Sequence, residues 1–264
     1  MEIISFDVCG MLAHFRKYYA NNTAFSYSIP PRTTAMGMLA AILGYERDTY
    51  YEQLASSHIR IGLRVMRPLK KTFHRLNFLS IKSRGDALEG TGDFTGAGGR
   101  IQTPFEVVSG QHMGKDLVVY RIFLAPGADD NGEFARLKTA LQDRQQRFNL
   151  TLGTANFSAW IEKVNLLENI ESQQPTGWVK MHSAVPSGKI IRLDFQKDDL
   201  DNSYNFLEEE MIPADFVANG NRELSKLVRV LFSTQGKPFT VELNTPFFTL
   251  PDVDGNLQNI LFLE

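Results

Sequence analysis

The segment Ile4-Ser5-Phe6-Asp7-Val8 decides the fold, because its apolar residues fall at every second position. That is the period of a half-buried strand, whose successive side chains point to opposite faces. Beyond a polar, aromatic loop from His14 to Ser28, Pro30-Pro31-Arg32-Thr33-Thr34 leads into Ala35, Met36, Leu39, Ile42 and Leu43. Their spacing of three and four makes one helical face, and Gly44 supplies the stop. From His58 alternation returns, with Ile59, Ile61, Leu63 and Val65 on one side and His58, Arg60 and Arg64 on the other, a strand with a basic face. Leu117 to Leu124 reads as a buried strand, Asn131 as the cap of a helix carrying Phe134, Leu137 and Leu141 on one stripe, and Ala159 to Leu167 as a fourth strand. The order β, α, β, β, α, β predicts an α+β chain with a ferredoxin-like domain over residues 1–170.

Two regions fall outside that pattern. The connection from Arg67 to Asp116 is too long for plain loop, which predicts a functional insertion or a projecting hairpin, with a glycine-rich middle from Gly85 to Gly99. Residues 171–264 read as a small β-rich C-terminal region, with strands at Val179–Val185, Ile190–Phe195, Leu227–Phe232, Phe239–Leu243 and Phe247–Leu250.

A chain of 264 residues, 43% hydrophobic and 22% charged, is neither disordered, collagenous nor a coiled coil. Its formal charge of −2 conceals an uneven distribution: residues 1–120 carry 14 Lys and Arg against 10 Asp and Glu, and residues 121–264 carry 14 against 20. His58 to Arg84 holds eight cations, Lys70, Lys71, Lys82 and Arg84 among them, and no acid; Asp194 to Phe216 holds eight acids against Lys197. The lone Cys9 excludes an internal disulfide and fits a reducing cytoplasm as a small buried hydrophobe. The N-terminus lacks the pattern of a signal peptide, and the longest apolar stretch, Ala35 to Leu43, is far short of the roughly 20 residues a membrane span needs, so a cytoplasmic protein is expected.

No Gly-x-Gly-x-x-Gly, Gly-Lys-Ser/Thr, His-Glu-x-x-His or Gly-x-Ser-x-Gly is present, so no metal and no cofactor is expected. Glu208-Glu209-Glu210 cannot all face one cation from a regular element and read as a solvated acidic face. Histidine as a residue type suits metal-free RNA cleavage, but for His14, His74 and His112 a phosphate contact or a surface position is the simpler reading. Phe15-Arg16-Lys17-Tyr18-Tyr19 sets cations beside rings, which suits phosphate and unpaired bases; a partly buried aromatic loop is the alternative. The basic strand and following loop suit a single-stranded backbone, with salt bridges to the acidic half as the competing explanation. Arg32, Thr33 and Thr34 start a helix that can receive a phosphate or simply be capped there, and Arg100 and Gln102 put a cation and an amide on the arm returning from the glycine-rich segment.

Gly10-Met11-Leu12-Ala13-His14-Phe15-Arg16-Lys17, Ser26-Tyr27-Ser28-Ile29-Pro30-Pro31-Arg32-Thr33-Thr34 and Gly37-Met38-Leu39-Ala40-Ala41-Ile42-Leu43-Gly44 resemble the N-terminal signature of the Cas-five family of CRISPR-associated proteins. Gln102-Thr103-Pro104, Leu152-Gly153, Ser183-Ala184-Val185-Pro186 and Gly236-Lys237-Pro238 extend the resemblance over nearly the whole chain, which is most similar to the type I-B branch. The resemblance implies a RAMP-superfamily fold: a ferredoxin-like, RRM-related domain with a β-hairpin thumb between its second and third strands, here residues 67–116. It also implies a non-catalytic subunit of a type I Cascade surveillance complex that holds the 5′ handle of the CRISPR RNA, contacts the large and backbone subunits, and meets target DNA only through the complex. The RNA-binding set expected from both lines of reasoning is Arg16, Lys17, Tyr18, Arg32, Thr33, Thr34, Lys70, Lys71, Lys82, Arg84, Arg100 and Gln102. The alternative is a metal-independent endoribonuclease that processes precursor RNA, as in the type I-C branch; Tyr45, Tyr50, Tyr51, His112 and Lys115 offer such groups but do not align to that branch's motif.

Overall fold

The structure is a computed structural model and describes residues 1–21, 23–79, 100–195, 205–217 and 222–264. The opening segment forms β1 (Ile3–Gly10), followed by α1 (Arg32–Leu43), β2 (Ile59–Val65), β3 (Leu69–Leu79), β4 (Arg100–Gly110), β5 (Val118–Pro126), α2 (Glu133–Gln142) and β6 (Ser158–Leu167). One sheet holds the four strands expected from the sequence: β1 lies between β5 and β6, and β2 pairs with the outer side of β5. Every ladder among them is antiparallel.

Both faces of this sheet are covered. Ile4, Phe6 and Val8 of β1, Ile61 and Leu63 of β2, and Tyr120, Ile122 and Leu124 of β5 share a core with Met36, Leu39 and Ile42 of α1 and Phe134, Leu137 and Leu141 of α2. On the opposite face Ile3, Phe123 and Ala125 pack against Phe248, Leu250, Ile260 and Phe262 from the C-terminal strands. The expectation of a half-buried β1 is therefore corrected: all eight of its residues are buried. Asp7 survives there because Arg121, its cross-strand neighbour, donates from Nε and Nη2 to its two oxygens at 2.6 and 2.9 Å. A buried carboxylate needs such a partner.

The basic face of β2 is covered in the same way. The Arg60 guanidinium lies 4.3 Å from the Phe262 ring centre and 5.5 Å from that of Phe248. Arg64 donates to Gln258 Oε1 at 2.8 Å, and burial, followed by the facing Arg121, pulls its pKa down to about 10. These two cations support the sheet packing.

Between β2 and β5, β3 and β4 pair without interruption from Leu69 opposite Gly110 to Leu79 opposite Arg100. The expected Gly85–Gly99 segment lies outside the described residues. The C-terminal part contains β7 (Leu207–Phe216), β8 (Leu224–Ser233), β9 (Phe239–Leu243), β10 (Phe247–Pro251) and β11 (Leu257–Ile260), and β9 pairs on its two sides with Trp178–Met181 and Ile190–Leu193. β7 was not expected as a strand because its first half is acidic. Its second half supplies the buried Ile212 and Ala214. No helix among the described residues is long and apolar enough to cross a membrane.

Helix α1 begins after Pro31 with no side-chain cap, so neither Thr33 nor Thr34 caps it, and it ends on Gly44 at φ 83°. In α2 the cap position is Gly132, and Asn131 Oδ1 instead accepts from Glu133 N at 3.2 Å. Arg32, in the first turn of α1, is fully buried. Its Nε donates to Glu264 Oε1 at 2.6 Å, Nη1 to Asp215 Oδ1 at 2.6 Å and Ala214 O at 3.2 Å, and Nη2 to Leu54 O at 3.1 Å and Ile59 O at 2.7 Å. A guanidinium with all three nitrogens engaged inside the protein has none left for phosphate, which corrects the expected RNA contact of Arg32.

Two measurements follow from this packing. Arg32→Ala leaves two carboxylates with little exposure and without the cation bonded to them, so urea unfolding should show a loss of about 3–5 kcal/mol; a loss below about 1 kcal/mol would contradict the assignment. His182 is held down to about 4, by burial first and then by Arg64 and Lys180, against 6.5 in the unfolded chain. The unfolded state therefore takes up its proton first as pH falls, and stability should drop by a few kcal/mol between pH 6.5 and 4. His182→Gln should flatten that part of the profile, and an unchanged slope would refute it.

Candidate nucleic-acid interface

Phe15–Arg16 and Ser26–Tyr27 pair antiparallel, with Phe15 opposite Tyr27 and Arg16 opposite Ser26. Backbone bonds fasten this loop to β4: Ala24 N donates to Pro104 O, and Glu106 N to Ala24 O, both at 2.9 Å. Glu106 is buried and is the joint between them. Its Oε2 accepts from Ser26 N at 2.7 Å, and its backbone carbonyl lies 2.7 Å from His14 Nδ1. The His14 ring stacks on Phe105 at 3.9 Å, and burial, the largest influence, keeps its pKa below the ordinary value. A neutral His14 donating to that carbonyl is a positioning group with its ring turned inward. Gly153 closes over it: a Cβ there would stand 1.8 Å from His14 O, and its φ of +96° is one that only glycine adopts readily.

The outer surface of this joint is aromatic and cationic. Phe25 meets Phe73 of β3 edge-on, with ring centres 5.7 Å apart. Tyr18 and Tyr19 touch edge-on at 5.2 Å, and each leaves half its surface free. Arg16 is exposed, with Nη2 donating to Ala20 O at 3.0 Å, and Lys70 and Arg75 are exposed on β3. Exposed Phe78 and Gln102 lie farther along the same ladder. The loop and the inserted strand pair therefore meet, and Lys17 of the loop and Lys71 of β3 both reach Glu210.

Other expected residues have different surroundings. Lys17 Nζ bonds both oxygens of Glu210 at 2.8 and 2.9 Å and lies 5.3 Å from the Tyr27 ring centre. Burial alone would lower its pKa, but Glu210 outweighs this and raises it. Lys71 Nζ is 3.7 Å from Glu208 and 4.0 Å from Glu210. The salt-bridge explanation thus holds for Lys71, and Lys17 of the aromatic loop pairs with the acidic half in the same way. The solvated reading of Glu208-Glu209-Glu210 is corrected for Glu208 and Glu210, Glu208 also accepting from Ser28 Oγ at 2.5 Å, while Glu209 stays exposed and accepts from Ser187 Oγ at 2.6 Å. Thr33 is buried and Thr34 half-buried, and both line a cleft of about 340 Å³ with Tyr50, Asn149, Thr151 and Arg222. Arg100 is placed by its backbone opposite Leu79, and Lys82 and Arg84 lie outside the described residues.

The groups considered for RNA cleavage have separate partners. Tyr45 donates to Glu133 Oε1 at 2.9 Å, Tyr51 bonds Asp48, His74 Nε2 lies 3.1 Å from Thr72 Oγ1, and His112 Nδ1 lies 2.8 Å from Asp116 Oδ2 in an exposed turn. Cys9 is buried, and burial above all pushes its thiol up to about 12. No cluster of three metal-ligating side chains occurs among the described residues. Sequence reasoning missed Phe25, Phe73 and Glu106. The available signals were the rings interleaved with cations in β3 and the single acid between residues 94 and 115, which is Glu106.

A family model described as CRISPR-associated protein (Cas_Cas5) matches residues 3–217. No curated protein matches the chain by sequence. Among solved structures, the crystal structure of a CRISPR protein from Archaeoglobus fulgidus is similar over 98% of this chain and 99% of that one, at 14% identity and a TM-score of 0.53. A chain of a CRISPR RNA-guided surveillance complex is similar over 90% of this chain and 91% of its own, at 14% identity and a TM-score of 0.47. The family model spans the central sheet, the inserted strand pair and the aromatic loop, and on that match the chain belongs to the Cas_Cas5 family of CRISPR-associated proteins.

Proposed function

We propose that this chain is a non-catalytic subunit of a type I CRISPR Cascade surveillance complex, of the type I-B branch, that binds the 5′ handle of the CRISPR RNA and scaffolds the large and backbone subunits. The observation that carries this reading is the Phe25–Phe73 contact, which joins the aromatic loop, with its exposed Arg16, Tyr18 and Tyr19, to β3, where the exposed Arg75 lies on the same side of the strand as Phe73. Unpaired bases stack on such rings at about 1–3 kcal/mol each, and cations around them hold the phosphates. The sheet order supports a ferredoxin-like, RRM-related domain: the fourth strand lies beside the first, which lies beside the third, which lies beside the second. Within it β3 and β4 are the thumb. Lys71, Arg100 and Gln102 extend the contact set along that thumb, Lys82 and Arg84 belong to the set from the sequence alone, and Thr34 offers a cleft beside Tyr50 and Arg222. Target DNA is then read by guide base pairing. The separate partners of Tyr45, Tyr51 and His112 support a holding role over a cutting one.

The triple variant Arg16→Glu, Lys70→Glu, Arg75→Glu should weaken binding of labelled repeat RNA by more than tenfold. Its log–log salt slope should shrink by about 2, since each single-strand phosphate contact contributes about 0.7. Unchanged affinity and slope would refute the interface. The wild-type chain, incubated with labelled repeat RNA and a chelator, should leave it intact; cleavage that His112→Ala abolishes would establish the enzymatic alternative.

A further inference from the structure

Strand β7 sends two carboxylates toward the RNA-facing elements. Glu208 and Glu210 alternate with Glu209 and so share one side of the strand. Glu210 grips Lys17 from the aromatic loop, and both carboxylates stand within 4.0 Å of Lys71 from β3. The two contacts differ in tightness. Lys17 and Glu210 form a close pair with side chains 14% and 12% exposed. Lys71 and Glu208 are 25% and 35% exposed, and 3.7 Å is beyond hydrogen-bond length. Glu208 keeps its place through the Ser28 hydroxyl, so Lys71 is not required to hold it.

We infer that Glu208 and Glu210 are specificity-determining residues of the RNA surface: their carboxylates occupy Lys71 and Lys17 in the free chain as phosphate oxygens would, and bound RNA takes Lys71 over. The inference rests on the RNA-binding reading above. A carboxylate is an acceptor of a shape and charge close to two phosphate oxygens, and a loose, half-exposed ion pair exchanges partners readily. An arbitrary polyanion has to displace Glu208 and approach two negative charges with Coulombic attraction alone. An RNA whose bases also stack on Tyr18 and Phe73 gains enough to do so. The two glutamates thus lower affinity for all RNA and improve discrimination, as repulsive elements do at specific interfaces.

The test compares the full-length wild-type chain with Glu208→Gln/Glu210→Gln and with a charge-matched control, Glu2→Gln/Glu168→Gln, whose carboxylates lie elsewhere on the surface. The probes are labelled repeat RNA and labelled oligouridine at low salt. The cluster variant should bind oligouridine on the order of tenfold more tightly than both wild type and control, with a steeper salt slope and a reduced preference for repeat RNA. Should the double variant not fold, Glu208→Gln alone leaves the Lys17 pair intact and should give a smaller gain in the same direction. If wild type binds repeat RNA and neither variant gains oligouridine affinity over the control, this inference is overturned while the RNA-binding reading stands. If wild type binds no RNA, both are overturned.

Discussion

Arg32 joins parts of the chain that are far apart in sequence. From the first turn of α1 its guanidinium reaches the backbone at Leu54 and Ile59, Asp215 on β7 and Glu264. Each acceptor is held in turn: Asp215 Oδ1 also takes Ser56 N at 3.2 Å, and Glu264 Oε1 takes Ile61 N at 3.0 Å. Arg32 thereby covers the Ile59 end of the β2 edge, and the backbone N–H groups of Leu263 and Ala184 donate to Ile61 O and Leu63 O beyond it. With β7 fixed against α1, its acidic first half reaches the aromatic loop. The planar fork of arginine suits this role, because five donors in fixed directions can serve several acceptors at once where a lysine ammonium cannot.

The same coupling explains how charges are divided. The described cations of residues 58–79 differ in depth. Arg60 and Arg64 lie under the C-terminal strands, Lys71 sits beside β7, and Lys70 and Arg75 face water. Acids of the 194–216 segment that are described pair inward at Glu208, Glu210 and Asp215. The basic and acidic halves thus fold onto each other, and the surface left for a polyanion is the part of the basic half that β7 does not reach. Glu106 then sets the geometry of that surface by tying the aromatic loop to the inserted strands through Ser26 and His14.

Much of the framework was legible in the sequence. Residues 4–8, 59–65, 118–124 and 159–167 alternate or run apolar strongly enough to mark strands, and Gly44 marks a helix end. The inserted strand pair was legible only as an improbably long connection, since β3 mixes lysine, histidine, arginine and phenylalanine with no clean period. Burial was misread at Asp7, Arg32, Arg60 and Arg64 for one reason. A charged residue reads as exposed until its partner is known, and those partners, Arg121, Asp215 with Glu264, Phe262 and Gln258, lie between 114 and 232 residues away. The candidate surface was visible as composition in Phe15 to Tyr19. Its second half, Phe25 against Phe73, depends on a contact between distant segments that no local pattern encodes.

In the proposed complex, RNA lies on the surface where the aromatic loop meets the inserted strands. Ultraviolet crosslinking of CRISPR RNA in the assembled complex, with the crosslinked peptides of this chain identified by mass spectrometry, tests it most directly. Crosslinks are expected at Tyr18, Tyr19, Phe25 and Phe73. Crosslinks confined to residues 121–264, with none in the loop or in β3, would contradict it.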